Sequence, residues 1–523
     1  MTANYFLAII IGASAVLYIL WSIISPKKHG APLPPGPRGK PIIGNLFDLP
    51  SPGEPQWLHW LRHKDLYGPL SSITVMGQTF IIINDRNLVT ELLEKRATKN
   101  SSRPQTVFAM EIVGWDESPV GQDNTGLLRS YRKAMARVIG SHAAVSKFDG
   151  MQEVEIRRLL WRVLRDPDNY VSHIRKMMGS LLLALSHGYI VEPHGEDPFM
   201  NLAELAINEF AEAITPGEWL VDFIPALKYL PEWFPGGGFK KTARRYAKTR
   251  HDFVHKPFAF TKYQMAHNRH IPSLVSSLIE QGEDDRVSKW SSAALYSAGA
   301  DSTSASLESF FLAMILNPEV QAKGQAEIDR VVGDGRLPVF SDRDSLPFVD
   351  AISKEVLRWH TLAPLAIPHK ADEDDIVNGY FIPKGAILLP NSWAINHDEK
   401  VYREPSKFDP DRWLASAGHE PEADHVSFGY GRRICPGRYV ASRTIFLIVA
   451  QCLAAFSIRK ATGGDGREIE PELGVTADLI SHVLPFSCTI TPRSPKYIEL
   501  VNAVEQDYPF QKSDAEILEH LKY

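Results

Sequence analysis

Cys435 stands in a setting that packing alone does not explain: Phe428-Gly429-Tyr430-Gly431-Arg432-Arg433-Ile434-Cys435-Pro436-Gly437. Glycines at 431 and 437 let the backbone come close to the sulfur, amide hydrogens aimed at a thiolate lower its basicity, and Arg433 adds positive charge. A thiolate so placed is a candidate metal ligand; the plainer reading is a buried structural cysteine in a glycine-rich turn. Cys452 and Cys488, in apolar surroundings, keep the plainer reading. Three cysteines with no CxxC pair make neither a disulfide framework nor a zinc site, which fits a reducing compartment.

Other chemistry-bearing residues recur at helical spacing. Glu355 and Arg358, within Phe348–Leu362, lie one turn apart and can form an ion pair. Trp290–Asn317 is long and helical in character and is stopped by Pro318. Its middle, Ala298-Gly299-Ala300-Asp301-Ser302-Thr303, is poor in bulky side chains, which suits either tight helix packing or close approach to a flat ring. ExxR precedes Pro410-Asp411-Arg412-Trp413, which precedes the cysteine segment, and that segment matches FxxGxRxCxG at every fixed position. In motif and in order the chain resembles the cytochrome P450 family of haem-thiolate monooxygenases.

That resemblance implies haem b as cofactor, with Cys435 as the axial ligand to iron and Phe428, Arg433 and Gly437 in the loop around it. Arg433, Arg132 and His369 would meet the haem propionates. The small segment of the long helix resembles the oxygen-binding motif AGxDT, so Asp301 would exchange protons with solvent while the next hydroxyl orients water and donates to dioxygen. Here that hydroxyl is Ser302 where threonine is usual; Thr303 is next in line but points about 100° away on a helix. Glu355, Arg358 and Arg412 would form a buried structural network. Leu128 takes the place of the tryptophan in WxxxR, so an indole donor to the haem is missing. A haem-thiolate isomerase, dehydratase or peroxide-dependent enzyme, and a haem protein without catalysis, are the alternatives; Asp301 and Ser302 speak against the first group, while Leu128 and Ser302 hint at the second.

A chain of 523 residues, 44% hydrophobic, can build one large core around these groups, and a net charge of −5 without long like-charged runs gives no case for a nucleic-acid partner. Tyr5–Ile24 carries no charge and would span roughly 30 Å as a helix, the thickness of a bilayer core. The competing reading is a signal peptide with Ala13 and Ala15 at its cleavage site, but the apolar run continues past them. Lys27 and Lys28 follow the span, so residues 1–28 read as an anchor with the catalytic body, 29–523, on the cytosolic side. By resemblance that membrane is the endoplasmic reticulum. Ala31–Pro37 is a stiff proline hinge.

Leu70–Met76 and Thr79–Asn84 predict a hairpin around Gly77-Gln78, and Asp375–Leu389 and Leu484–Thr491 predict further strands. Asp85 is placed to cap a helix, and Gln152–Leu164, Leu202–Ile214 and Leu274–Ile279 have helical apolar spacing. The fold class is therefore mainly α with small β-sheets, and the resemblance makes it the cytochrome P450 fold behind a transmembrane helix.

Aromatic and apolar residues of Glu218–Gly238, followed by Lys240, Lys241, Arg244 and Arg245, suit either a membrane-facing lid over a substrate entrance or burial in the core. Arg129, Arg132, Lys133 and Arg137, with Arg432 and Arg438, offer a basic face for an acidic partner, by resemblance NADPH–cytochrome P450 reductase. Trp219–Gly236 and Leu365–Asp375 look most like membrane-bound fungal secondary-metabolism members. The implied reaction takes O2 and an apolar small molecule, with substrate contacts in Pro104–Val120, near Tyr296 and Ala300, and in Leu362–Ile367 and Leu479–Leu484.

Overall fold

The computed structural model describes residues 30–51, 53–215, 217–414 and 424–521, so the anchor read at residues 1–28 lies outside the described residues. The helices that carry the body are α1 (Gly126–Ile139), α2 (Asp149–Arg165), α3 (Tyr170–His187), α4 (Pro198–Ile214), α5 (Phe239–Ala266), α6 (Asp285–Leu316), α7 (Pro347–Trp359) and α8 (Arg438–Ala455). Their starts follow from local chemistry. Thr125, Asp197 and Asp284 accept from otherwise unpaired amides in the first turns of α1, α4 and α6.

Helix α6, 32 residues long, crosses the middle of the molecule. Leu307, Phe310, Phe311, Ala313 and Met314 in its second half are fully buried. Near its centre the absence of a side chain at Gly299 matters: a Cβ there would lie 2.9 Å from Leu182 Cδ1 on α3. Part of the small-residue stretch thus serves helix packing. Among the described residues, α8 alone is long and apolar enough to cross a bilayer, yet most of it is buried in this core.

Among the described residues, eight short strands form three sheets. β1 (Leu70–Val75) and β2 (Gln78–Ile83) make the expected hairpin; β6 (Ile387–Pro390) joins β2 in parallel and β3 (His369–Lys370) closes the sheet. The turn sits one residue earlier than expected. Gln78 pairs with Val75, leaving Met76 and Gly77 as the turn, both left-handed with φ 48° and 86°, as a tight hairpin demands. β4 (Asp375–Val377) pairs with β5 (Tyr380–Ile382), and β7 (Phe456–Lys460) with β8 (Cys488–Pro492); residues 484–487 remain outside the ladder. The proline hinge lies along β1, with Ser72 donating to Pro34 O and receiving no side chain from Gly36, whose Cβ would collide with Ser72 O.

Candidate active site

The cysteine loop arrives at the N-terminus of α8. The Cys435 amide donates to Phe428 O at 2.7 Å, closing the loop on itself. Burial raises the thiol pKa, while the amides of Gly437 and Arg438 and the charges of Arg132 and Arg438 pull the other way. The two glycines divide their work differently from the expectation. Gly431, at φ 52°, is forced by the carbonyl of Leu93, which a Cβ would meet at 2.1 Å, not by the sulfur. Gly437 lies beside the sulfur, where a Cβ would make ordinary contact with Cys435 Sγ (3.8 Å) and Leu295 Cδ1 (3.7 Å); its contribution is the amide.

Around this loop stands a cluster of cations. Arg132, from α1, donates to Ile434 O at 2.8 Å. Arg433 spends its guanidinium on the carbonyls of Ser101, Pro119 and Gln122. Arg103, buried and not foreseen from sequence, donates to Ile367 O and Pro368 O, while its Nε finds no partner. His369 is buried on β3 with Nδ1 at 2.7 Å from Asn100 O. Burial, then the charge of Arg103, holds this imidazole well below the usual histidine range. Burial and the mutual repulsion of these arginines pull Arg103 far down and Arg433 to about 10. An arginine does not give up its proton, so this field is a demand for a counter-anion. Asp123 and Asp372 are the carboxylates that act on Arg433, and Asp123 already receives Lys370 at 3.0 Å. A partly buried cysteine with two amides on its sulfur, beside a cluster of buried cations, fits haem b, whose two propionates would supply negative charge and whose iron the sulfur would bind.

On α6, Ala298 is exposed and Ser302, one turn on, is partly so, which puts both on the open face of the helix. The Ser302 hydroxyl donates to Ala298 O at 2.7 Å. Thr303 is buried at 4% exposure and lies off that face. Asp301 is paired with His482 at 3.2 Å, a residue from the far end of the chain that sequence reasoning did not single out. Tyr296 is buried too, its hydroxyl 3.3 Å from Phe199 O, so it packs between helices. Phe108 stacks on Trp219 at 3.6 Å and the Phe108 amide donates to Asp222, tying Val107–Ile112 to the 219–223 turn.

Beneath the loop, Glu355 and Arg358 on α7 are both fully buried and joined by two bonds of 2.9 and 2.7 Å. Arg412 adds a bond to Glu355 at 3.1 Å. Arg358 also holds the carbonyls of Asn396, Pro405 and Lys407. Trp413, where a phenylalanine is usual, donates its indole N–H to Glu355 at 3.0 Å. A carboxylate with this many donors is a satisfied buried ion rather than a stranded one.

A family model for cytochrome P450 matches residues 34–484. Cytochrome P450 monooxygenase claR of Ampulloclitocybe clavipes is 44% identical over 95% of this chain and 93% of its own length. Cytochrome P450 monooxygenase ppsD of Aspergillus oryzae is 44% identical over 94% of each chain. The O-methylsterigmatocystin oxidoreductase of Aspergillus flavus is 40% identical over 98% of this chain and 97% of its own. The cysteine loop, its cationic surround and the full-length likeness to these fungal monooxygenases converge: the chain belongs to the cytochrome P450 family, and its cofactor is haem held by a cysteine thiolate.

Proposed function

We propose that this protein inserts one oxygen atom from O2 into an apolar secondary metabolite, the other atom leaving as water, with electrons drawn from NADPH through a flavoprotein reductase. The observation that carries the reading is the setting of Cys435: its amide tied to Phe428 O, the amides of Gly437 and Arg438 on its sulfur, and Arg132, Arg103 and Arg433 around the loop. When bound, haem b supplies the redox iron, and thiolate donation favours cleavage of the O–O bond.

The chain's own groups do the rest. Cys435 would be the metal ligand; Phe428 and Gly437 shape its loop; Arg132, Arg433 and His369, with Arg103, would hold the propionates. Asp301 manages protons, and the Ser302 hydroxyl, anchored on Ala298 O, orients water at the open face of α6. Thr303, buried, acts at most through the helix. The stacked Phe108–Trp219 pair excludes water from above. Exposed Arg129, Lys133 and Arg432 support a docking face for the reductase; Arg438 is less available, since it donates to Cys435 O and Tyr439. Exposed Leu220, Tyr229 and Trp233 support contact of the 219–238 segment with the endoplasmic reticulum membrane that residues 1–28 would enter.

The test is a carbon monoxide difference spectrum of the reduced protein, wild type and Cys435→Ser. A red-shifted Soret band in wild type that the variant lacks is the expected result; a folded wild type without that band overturns the reading. Product formation with reductase and NADPH then separates oxygenation from isomerase, dehydratase or haem-carrier roles.

A further inference from the structure

His482 joins two carboxylates that lie two turns apart on one face of α6. Its Nε2 is 3.2 Å from Asp301 Oδ1 and its Nδ1 is 3.3 Å from Glu308 Oε2. The histidine is delivered by a tight hairpin in which Val475 pairs with Val483, the His482 amide donates to Thr476 Oγ1, and the His482 carbonyl accepts from Thr476. That hairpin is itself fixed: the Ser481 amide donates to Leu362 O at 2.7 Å, and His360 Nε2 lies 2.8 Å from Ser481 O. So the imidazole has little freedom to leave. Behind it, Glu308 is buried, and its second oxygen, Oε1, has no hydrogen-bond partner, but stands 3.6 Å from Arg175 on α3, a side chain that is 60% exposed.

We propose that His482 is the proton-supplying and positioning partner of Asp301, with Glu308 anchoring its other ring nitrogen. The inference rests on the oxygenase reading above, because it gives Asp301's proton handling a source. In its resting form the imidazole is the imidazolium, each N–H facing one carboxylate. It gives the Nε2 proton to Asp301 Oδ1 and becomes neutral, keeping Nδ1–H toward Glu308. Once Asp301 has passed that proton on, one proton from solvent at the part-exposed Asp301 carboxylate returns to Nε2 and restores the imidazolium. No electron moves, and the cluster regains its charge.

The electrostatics agree with this resting state. Hydrogen bonds to Asp301 and Glu308 raise the His482 pKa to about 9, against burial. The other titratable neighbours are Arg175, beyond Glu308, Tyr170 on α3, which interacts with Glu308, and His360, which burial first, and His482's own charge among lesser causes, holds at about 4 and so neutral. Because the folded pKa lies above the ordinary 6.5, the stabilisation from the cluster is complete below pH 6.5 and is lost as pH rises through about 9.

Two measurements on the full-length holoprotein decide the matter. Histidine-selective NMR should find one imidazole titrating well above 6.5, absent in His482→Gln and moved down in Asp301→Asn; a His482 signal titrating at the ordinary value overturns the proposal. With reductase and NADPH, and no added substrate, the fraction of consumed O2 released as peroxide and the solvent deuterium isotope effect on NADPH oxidation are then compared. His482→Gln should slow the proton-dependent partition roughly tenfold, raising both, while its carbon monoxide band stays normal. If His482→Gln only lowers the melting temperature and leaves both quantities unchanged, its role is structural and the proposal fails. A missing carbon monoxide band in wild type would instead sink the oxygenase reading itself.

Discussion

At the residue scale, Arg103 is the sharpest case of a side chain whose environment makes sense only with a bound anion. Its neighbours in the charge field are Arg433 and Arg132, and its guanidinium is held in place by two carbonyls, Ile367 O and Pro368 O. Arg103→Leu removes a charge-assisted bond worth about 1.5–3 kcal/mol. Haem should therefore pass to a scavenger protein at least about tenfold faster from the variant than from wild type. An unchanged transfer rate would show that Arg132, Arg433 and His369 suffice. Leu128 bears on the same balance: it is buried on α1 and offers no donor where the resemblance implies an indole, so on the proposed reading more of the hold would fall on the guanidiniums. Trp413 illustrates the reverse, a change that adds a bond to Glu355 instead of losing one.

At the scale of elements, legibility followed sequence distance. Glu355, Arg358 and Arg412 were readable because a helix turn fixes the first pair and chain order locates the third. The long helix, the hairpin and the caps at Asp85 and Thr125 are set by local chemistry. What could not be read were contacts made to backbone carbonyls or across hundreds of residues, as for Arg103 and His482. Helix α5 also hid, since Pro257 lies inside its 28 residues and its apolar spacing is diluted by charge. The cysteine loop gives a comparison that tests this reasoning. Gly429 and Gly431 both have positive φ, so alanine at either incurs about 1–2 kcal/mol of left-handed strain. Only Gly431→Ala also drives a Cβ into Leu93 O; at Gly429 the nearest atom is 3.8 Å away. Gly431→Ala should yield mostly haem-free protein while Gly429→Ala keeps most of its carbon monoxide band. Equal loss in both would mean that backbone strain, not the approach to Leu93, sets the requirement.

At the scale of the whole molecule, the 219–238 segment is two-sided. Val221 is buried, and Trp219 and Asp222 grip Phe108 below, so the segment is a fixed roof and not a loose loop. Its other side presents Trp233 at 82% and Tyr229 at 79% exposure, with Leu220 and Ile224, and Lys240 and Lys241 follow at the start of α5. Expectation from sequence left burial in the core open; the exposure removes that option. An apolar patch of this kind needs an apolar neighbour, and aromatic side chains beside lysines match the headgroup layer of a bilayer. In nanodiscs of full-length protein, lipids carrying a quencher on the upper acyl chain should quench a tryptophan component that disappears in Trp233→Phe. Anionic headgroups should strengthen that quenching through the two lysines, each worth about 1 kcal/mol near a charged surface, and added salt should weaken it. If Trp233 stays unquenched while the protein is held in the disc, the patch faces a protein partner instead, and the path by which an apolar substrate reaches the Phe108–Trp219 roof does not run through the membrane.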